Sequence, residues 1–178
     1  EARIRTLRRQ AVGKAFQQAL FADDVASRVA VSDLCVFDFH PQAYAPSRDY
    51  DGRFGHFEFR KHYYGRIGDF DSSEEFACAC WLDTQAQKGR LQFWVRNLLR
   101  REGCSFFLQK ADGRFYPDFV CRLPDATTLA VEYKGADRWA SAEDDRLIGG
   151  LWAALSEGRC RFVMVREKGW EAIDALLS

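Results

Sequence analysis

Residues 115–135 read FYPDFVCRLPDATTLAVEYKG, two apolar stretches joined at Pro124-Asp125. Each carries charge where a buried strand has none. Asp118 follows Pro117 in the first stretch, and Glu132 and Lys134 interrupt the second just before Gly135. Residues two apart in a strand share a face, so Glu132 and Lys134 point one way while Val131 and Tyr133 point the other. The Pro-Asp turn predicts a hairpin, and a hairpin brings Asp118 within side-chain reach of Glu132 near a common edge. Two carboxylates and one ammonium packed together cost energy through repulsion and desolvation unless something neutralises them. A hard divalent cation with oxygen ligands does so, and magnesium is the usual choice beside phosphates. Such a site suits phosphodiester hydrolysis, with Lys134 orienting the attacking water or offsetting charge in the transition state. A surface salt bridge between Lys134 and either acid is the plainer reading of the same residues.

The elements around this stretch predict an α/β layer arrangement with one mixed sheet flanked by helices. SSEEFACACWLDTQAQ, from Ser72, opens with the Ser-x-x-Glu pattern of a capping box and continues as a helix. RLQFWVRNLL, CSFFLQ, RFYPDFVCRL and TTLAVEYKG are successive strand candidates, rich in aromatic and β-branched residues. SAEDDRLIGGLWAALSEG reads as a second helix with Gly149 and Gly150 weakening its middle, RCRFVMVRE as a buried strand, and the last residues as a short amphipathic helix. Upstream, residues 4–30 carry apolar side chains at helical spacing. A short strand and a Tyr-rich loop are expected next, and the alternating, aromatic FGHFEFRKHYYGRIGDF (54–70) is expected to be a strand or extended.

Glu75 has two readings. On the first helix it shares a stripe with Cys78, Ala79 and Leu82 and so faces inward, where it could aim at the same metal. A capping-box glutamate explains it equally without catalysis. Glu74, one step round the helix, is the substitute.

At 178 residues, with 47% hydrophobic and 29% charged side chains, the chain has the make-up of a globular protein able to bury a sizeable core. No apolar run is long enough to cross a bilayer and no signal peptide is visible, so a cytoplasmic setting is expected. The chain begins at Glu1 in a charged helical pattern, as a piece of a longer protein would. The 26 basic and 26 acidic residues balance, which argues against a general nucleic-acid coat. Local basic groups (Arg5, Arg8, Arg9; Arg60, Lys61; Arg96, Arg100, Arg101; Arg159, Arg161, Arg166, Lys168) could follow a phosphate backbone or simply be solvated. Of six cysteines, Cys35, Cys78, Cys80, Cys121 and Cys160 sit among apolar residues as buried thiols do. Cys78-Ala79-Cys80 lacks zinc-ligand spacing. His40, His56 and His62 are scattered. No phosphate loop of the G-x-x-x-x-G-K-[ST] type is present, so this segment is not itself a nucleotide-driven motor.

FYPDFVCRLPDATTLAVEYKG, together with FRKHYY, EEFACA and FWVRN upstream, resembles the C-terminal nuclease domain of type III restriction enzyme-like helicases of the DEAD/DEAH-box kind. These belong to the PD-(D/E)xK superfamily. The similarity runs from about residue 54 to 166. It implies a restriction-endonuclease-like core over 54–178, preceded at 1–53 by a helical and extended appendage leading from a motor domain. It further implies that Asp118 and Glu132 bind Mg²⁺ (or Mn²⁺), that Lys134 is catalytic and that Glu75 is the acid from the helix. The implied activity is a metal-dependent endodeoxyribonuclease acting on double-stranded DNA. The implied partners are a helicase or translocase in the same chain and a specificity subunit, in a defence setting. Arg146 stands where relatives carry a lysine. Trp94, Arg96 and Asn97 also match, with core packing and a strand-end hydrogen bond as their expected roles. The alternative is a catalytically inactive nucleic-acid-binding or docking domain on the same fold.

Overall fold

The computed structural model describes residues 44–178, apart from 69, 102, 103, 111 and 112. The expected helix over 4–30, the strand expected after it, the first basic group, Cys35, His40 and Gly103 lie outside the described residues. From residue 73 the order is α1 (Ser73–Gln87), β1 (Phe93–Arg96), β2 (Leu108–Lys110), β3 (Gly113–Phe115), β4 (Phe119–Arg122) and β5 (Thr128–Tyr133). Then follow α2 (Glu143–Leu155), β6 (Cys160–Val165) and α3 (Trp170–Asp174). Two 3₁₀ turns, Ala136–Arg138 and Ala140–Ala142, lead from β5 into α2.

Strands β1, β4, β5 and β6 form one sheet in that order. β1–β4 and β4–β5 are antiparallel, whereas β5–β6 is parallel with α2 as its crossover. The sheet is therefore mixed and flanked by helices. The β4–β5 hairpin closes as the sequence predicts. Leu123 N–H donates to Thr127 O (2.9 Å), and Ala126, at φ 66°, donates to Leu123 O (3.0 Å). The Asp125 carboxylate accepts from Thr127 N–H (2.9 Å).

Strand alternation sorts the core into two faces. Trp94, Phe119, Cys121, Leu129, Val131 and Tyr133 pack with Cys78, Ala79 and Leu82 of α1 and with Ile173 of α3. Val120, Ala130 and Phe162 pack on the other face with Ile148 and Trp152 of α2 and with Phe106, Leu108 and Phe115. Gly149 is what lets α2 approach. A Cβ there would lie 2.3 Å from the Phe162 ring, whereas one at Gly150 would meet nothing within 4 Å.

Two strand expectations change. CSFFLQ and RFYPDFVCRL form only three-residue strands before Pro117, paired with each other as a separate ribbon (β2–β3) rather than joining the sheet. Pro117 has no N–H to continue a ladder, and the Asn97 side chain takes up the loose backbone instead. Its Nδ2 donates to Phe106 O (2.8 Å) and Pro117 O (2.7 Å), while its Oδ1 accepts from Phe106 N–H (2.9 Å). Asn97 thus has the strand-end hydrogen-bonding role expected of it.

The described residues of 54–70 form no regular strand and include bends at 60–61 and 63–65; isolated bridges (Asp49 with Gly68, His62 with Trp94) tie them to their neighbours. The fully buried Asp83 of α1 explains this. Its carboxylate accepts from the N–H groups of Arg60 (3.2 Å) and Lys61 (2.8 Å) and from Trp94 Nε1 (2.8 Å), which anchors the segment by a side chain instead of a ladder. Residues before the boundary expected at 53/54 share this core. Tyr44 stacks on Tyr64 (4.3 Å between centroids), and Tyr50 packs on Phe70 and Phe76. Cys78, Cys80, Cys104 and Cys121 are free thiols. Among the described residues no helix is long and apolar enough to cross a membrane.

Candidate functional site

The site gathers where β1, β4 and β5 end. The β4–β5 register pairs Phe119 with Val131, which sets Asp118 opposite Glu132 one step further on. Asp118 is bonded across to β5 at two points. Asp118 N–H donates to Glu132 Oε2 (3.0 Å), and the Asp118 carboxylate (Oδ2) accepts from Tyr133 N–H (2.8 Å). Lys134, on the same face as Glu132, places its Nζ 2.5 Å from Glu132 Oε1. Its backbone N–H donates to Val165 O (2.9 Å), continuing the β5–β6 pairing past Tyr133. On that face α2 contributes Asp145, whose carboxylate lies 4.0 Å from Lys134 Nζ and accepts from Lys110 Nζ at 2.8 Å.

Glu75 enters from α1 on the opposite face. Ser72 caps the helix, its Oγ accepting from Glu75 N–H (3.1 Å). The reciprocal half of the capping box is altered, because the Glu75 carboxylate accepts from Asp71 N–H (3.1 Å) instead of from the cap residue. The same oxygen accepts from Arg96 Nη2 (2.9 Å). Arg96 is 2% exposed and Glu75 8%, so this is a buried ion pair. The other terminal nitrogen of Arg96, Nη1, donates to Asp118 O (2.9 Å) and Asn97 O (3.0 Å) and lies 3.5 Å from Asp118 Oδ1. The expected acids and Lys134 are thus brought together, with Arg96 standing between Glu75 and Asp118. Glu74 stays outside, exposed and hydrogen-bonded to Ser73 Oγ (3.0 Å). Arg146 also stands apart: it donates to Trp139 O (2.8 Å) and stacks on the Trp139 ring.

The electrostatics follow from burial. Desolvation, reinforced by the charge of Asp118, pushes the Glu75 carboxyl up to about 7 in spite of Arg96. Burial also raises Asp118, against the pull of Arg96 and the Tyr133 N–H. Glu132, 3% exposed, is driven well above the ordinary carboxylate range by burial and then by Asp118, with Lys134 opposing. Burial works against the Lys134 ammonium, but Glu132, Asp118 and Asp145 together outweigh it and raise its pKa. Lys134 is therefore charged at neutral pH and serves as a donor, not a base.

Three carboxyls are thus held above their normal range chiefly by burial, beside the two cations Arg96 and Lys134. Among the described residues no group of three or more acidic, histidine or cysteine side chains is disposed to hold a metal ion. Magnesium does not demand such a cage; it is commonly held by one or two carboxylates and completes its shell with water and phosphate oxygens. The hard oxygens of Asp118 and Glu132 fit that requirement.

Sequence patterns gave Arg96 only a packing or strand-end role and left Asp145 unassigned. Arg96 shares the inward face of β1 with Trp94, so a cation at that alternating position was the available sign of a buried acidic partner. Asp145 sits in the Glu-Asp-Asp start of α2, where acids are common at any helix N-terminus, and nothing marked it out. Comparison of the chain with protein-family profiles, with curated proteins and with solved structures finds no match.

Proposed function

We propose that the chain is a magnesium-dependent nuclease domain with a restriction-endonuclease-like core, hydrolysing phosphodiester bonds in DNA. The observation that supports this most directly is the Asp118 N–H donating to the Glu132 carboxylate, with the Asp118 carboxylate held by Tyr133 N–H and Lys134 seated on Glu132. Asp118 and Glu132 are the residues that would hold the ion. The chemistry a bound Mg²⁺ or Mn²⁺ supplies there is polarisation of a phosphate oxygen and acidification of a water. The chain's own groups do the rest. Tyr133 N–H and Arg96 fix the Asp118 carboxylate, and Glu132 anchors the Asp118 backbone. Lys134, charged and half-buried, donates to the attacking water or to a phosphate oxygen as negative charge builds. The water oxygen bonds to phosphorus as one bond from phosphorus to a sugar oxygen breaks, its electron pair leaving with that oxygen, which is protonated from solvent, while the water's own proton passes to solvent.

In this reading the domain is the cutting module of a larger cytoplasmic restriction or defence protein. Its helicase or translocase lies in the same full-length chain, and site choice belongs to another domain or a specificity subunit. The sequence resemblance over 54–166 supports that setting. Duplex DNA, single-stranded DNA and RNA, each offered with and without Mg²⁺, test the assignment. Metal-dependent cleavage of the duplex is expected, and no cleavage of any of the three with Mg²⁺ or Mn²⁺ contradicts it.

One observation favours a second reading. Arg96 and Lys134 already lie against Glu75, Asp118 and Glu132, as they would in a nucleic-acid-binding domain that needs no metal. Such a domain would bind the duplex without cutting it, and its binding would not respond to Mg²⁺.

A further inference from the structure

Arg96 has an unusual position for an arginine. Its side chain is nearly sealed off and its guanidinium lies near the rings of Phe119 (5.5 Å) and Phe70 (6.0 Å). One terminal nitrogen faces Glu75 at 2.9 Å; the other faces the Asp118 carboxylate at 3.5 Å and the Asp118 carbonyl at 2.9 Å. Two-metal hydrolases place a second ion about 4 Å from the first, between shared carboxylates. Glu75 and Asp118 are the pair such an ion would bridge here, and Arg96 lies between them.

We propose that Arg96 is a built-in cation that takes the place of a second metal ion, so that Glu75 is the partner of Arg96 and the site takes one divalent ion. This rests on the metal-dependent reading given above. A guanidinium cannot lose its proton in a protein, so the positive charge between Glu75 and Asp118 is permanent. The planar fork is matched to a carboxylate on one side and to backbone and carboxylate oxygens on the other. Strand alternation supports the same division. Glu75 and Arg96 belong to the α1 face, Glu132 and Lys134 to the α2 face, and Asp118 joins the two at the strand end. Arg96 is thus a positioning residue: it holds the Asp118 carboxylate and carbonyl in place and occupies the carboxylate that the helix would otherwise offer.

Calorimetric titration with Mn²⁺ tests this on wild type, Glu75→Gln, Arg96→Met and Arg96→Lys, with folding checked by circular dichroism. Wild type is expected to bind one ion per chain. Glu75→Gln should bind one ion with affinity within about threefold of wild type, because Glu75 is not a ligand. Arg96→Met should bind two ions, the second between the freed Glu75 and Asp118, while Arg96→Lys keeps the charge and binds one. Two ions in wild type overturn the inference, as does a tenfold or greater weakening in Glu75→Gln. A folded Arg96→Met that binds a single ion overturns it as well. If Arg96→Met does not fold, the Glu75→Gln affinity and the Arg96→Lys stoichiometry decide. No Mn²⁺ binding by wild type contradicts the metal reading itself, whereas loss of the single ion in Glu75→Gln contradicts only the role given to Arg96.

Discussion

Lys134 is the residue whose chemistry is narrowest. Glu132 at 2.5 Å keeps it charged, so in the proposed nuclease its task would be donation to water or to the developing oxyanion, a contribution felt in rate. Lys134→Ala is expected to lower single-turnover cleavage roughly a hundredfold while DNA and divalent-ion binding change little. Equal cleavage rates would remove Lys134 from the mechanism. His62 gives a pH prediction away from the acids. Its Nε2 accepts from Arg96 N–H (3.0 Å) and its Nδ1 faces Tyr64 O (2.9 Å), an arrangement that requires the neutral ring. Burial lowers its pKa to about 4, outweighing the Tyr64 carbonyl and Asp83. A depressed histidine contributes stability that is complete above its unfolded value near 6.5 and is lost as pH falls toward 4. The His62 contribution to thermal stability should therefore fall by about 3 kcal/mol over that window, against the opposite trend of the raised Glu75, Asp118 and Glu132 carboxyls, and the pH-dependent difference between wild type and His62→Gln isolates it. An unchanged slope in the variant would assign the loss elsewhere.

The two glycines of α2 separate packing from propensity. Gly149→Ala would drive a Cβ to 2.3 Å from the buried Phe162 ring, and overpacking of this kind costs about 1–3 kcal/mol. Gly150→Ala meets open space and should stabilise by about 0.5–1 kcal/mol through helix propensity. Urea melts of the two variants check both signs, and a stable Gly149→Ala would mean that α2 can lift from β6. Helix α1, the β4–β5 hairpin, the α2 crossover and β6 were legible because period and turn chemistry agree in each. The division of 104–115 from the sheet was not. Aromatic residues such as Phe106, Phe107 and Phe115 have strand propensity in either arrangement, and the Asn97 side chain that decides between them acts across about ten to twenty residues of chain. The 54–70 segment failed similarly, since the buried Asp83 takes the N–H groups that a ladder would have used.

Across the whole molecule, the formal charge of zero gives no long-range attraction to DNA. The free domain should bind duplex weakly and with strong salt dependence. Fusion to a motor already on the duplex would supply the encounter as a high effective concentration. A sharp, sequence-specific cut by the free domain would contradict the view that recognition lies elsewhere. Asp118, Glu132 and Lys134 could be placed from sequence because each sits at a strand end where an apolar residue was expected. The role of Arg96 could not, since it depends on Glu75 arriving from a helix twenty-one residues earlier on the far face of the sheet. The most direct test of the central claim is single-turnover cleavage of a long duplex titrated with Mg²⁺, for wild type and for Asp118→Asn and Glu132→Gln, with Mg²⁺ binding measured calorimetrically alongside. The account predicts Mg²⁺-dependent cleavage by wild type and, in both variants, loss of cleavage together with much weakened ion binding; cleavage without metal, or ion binding and cleavage unchanged in both variants, would contradict it.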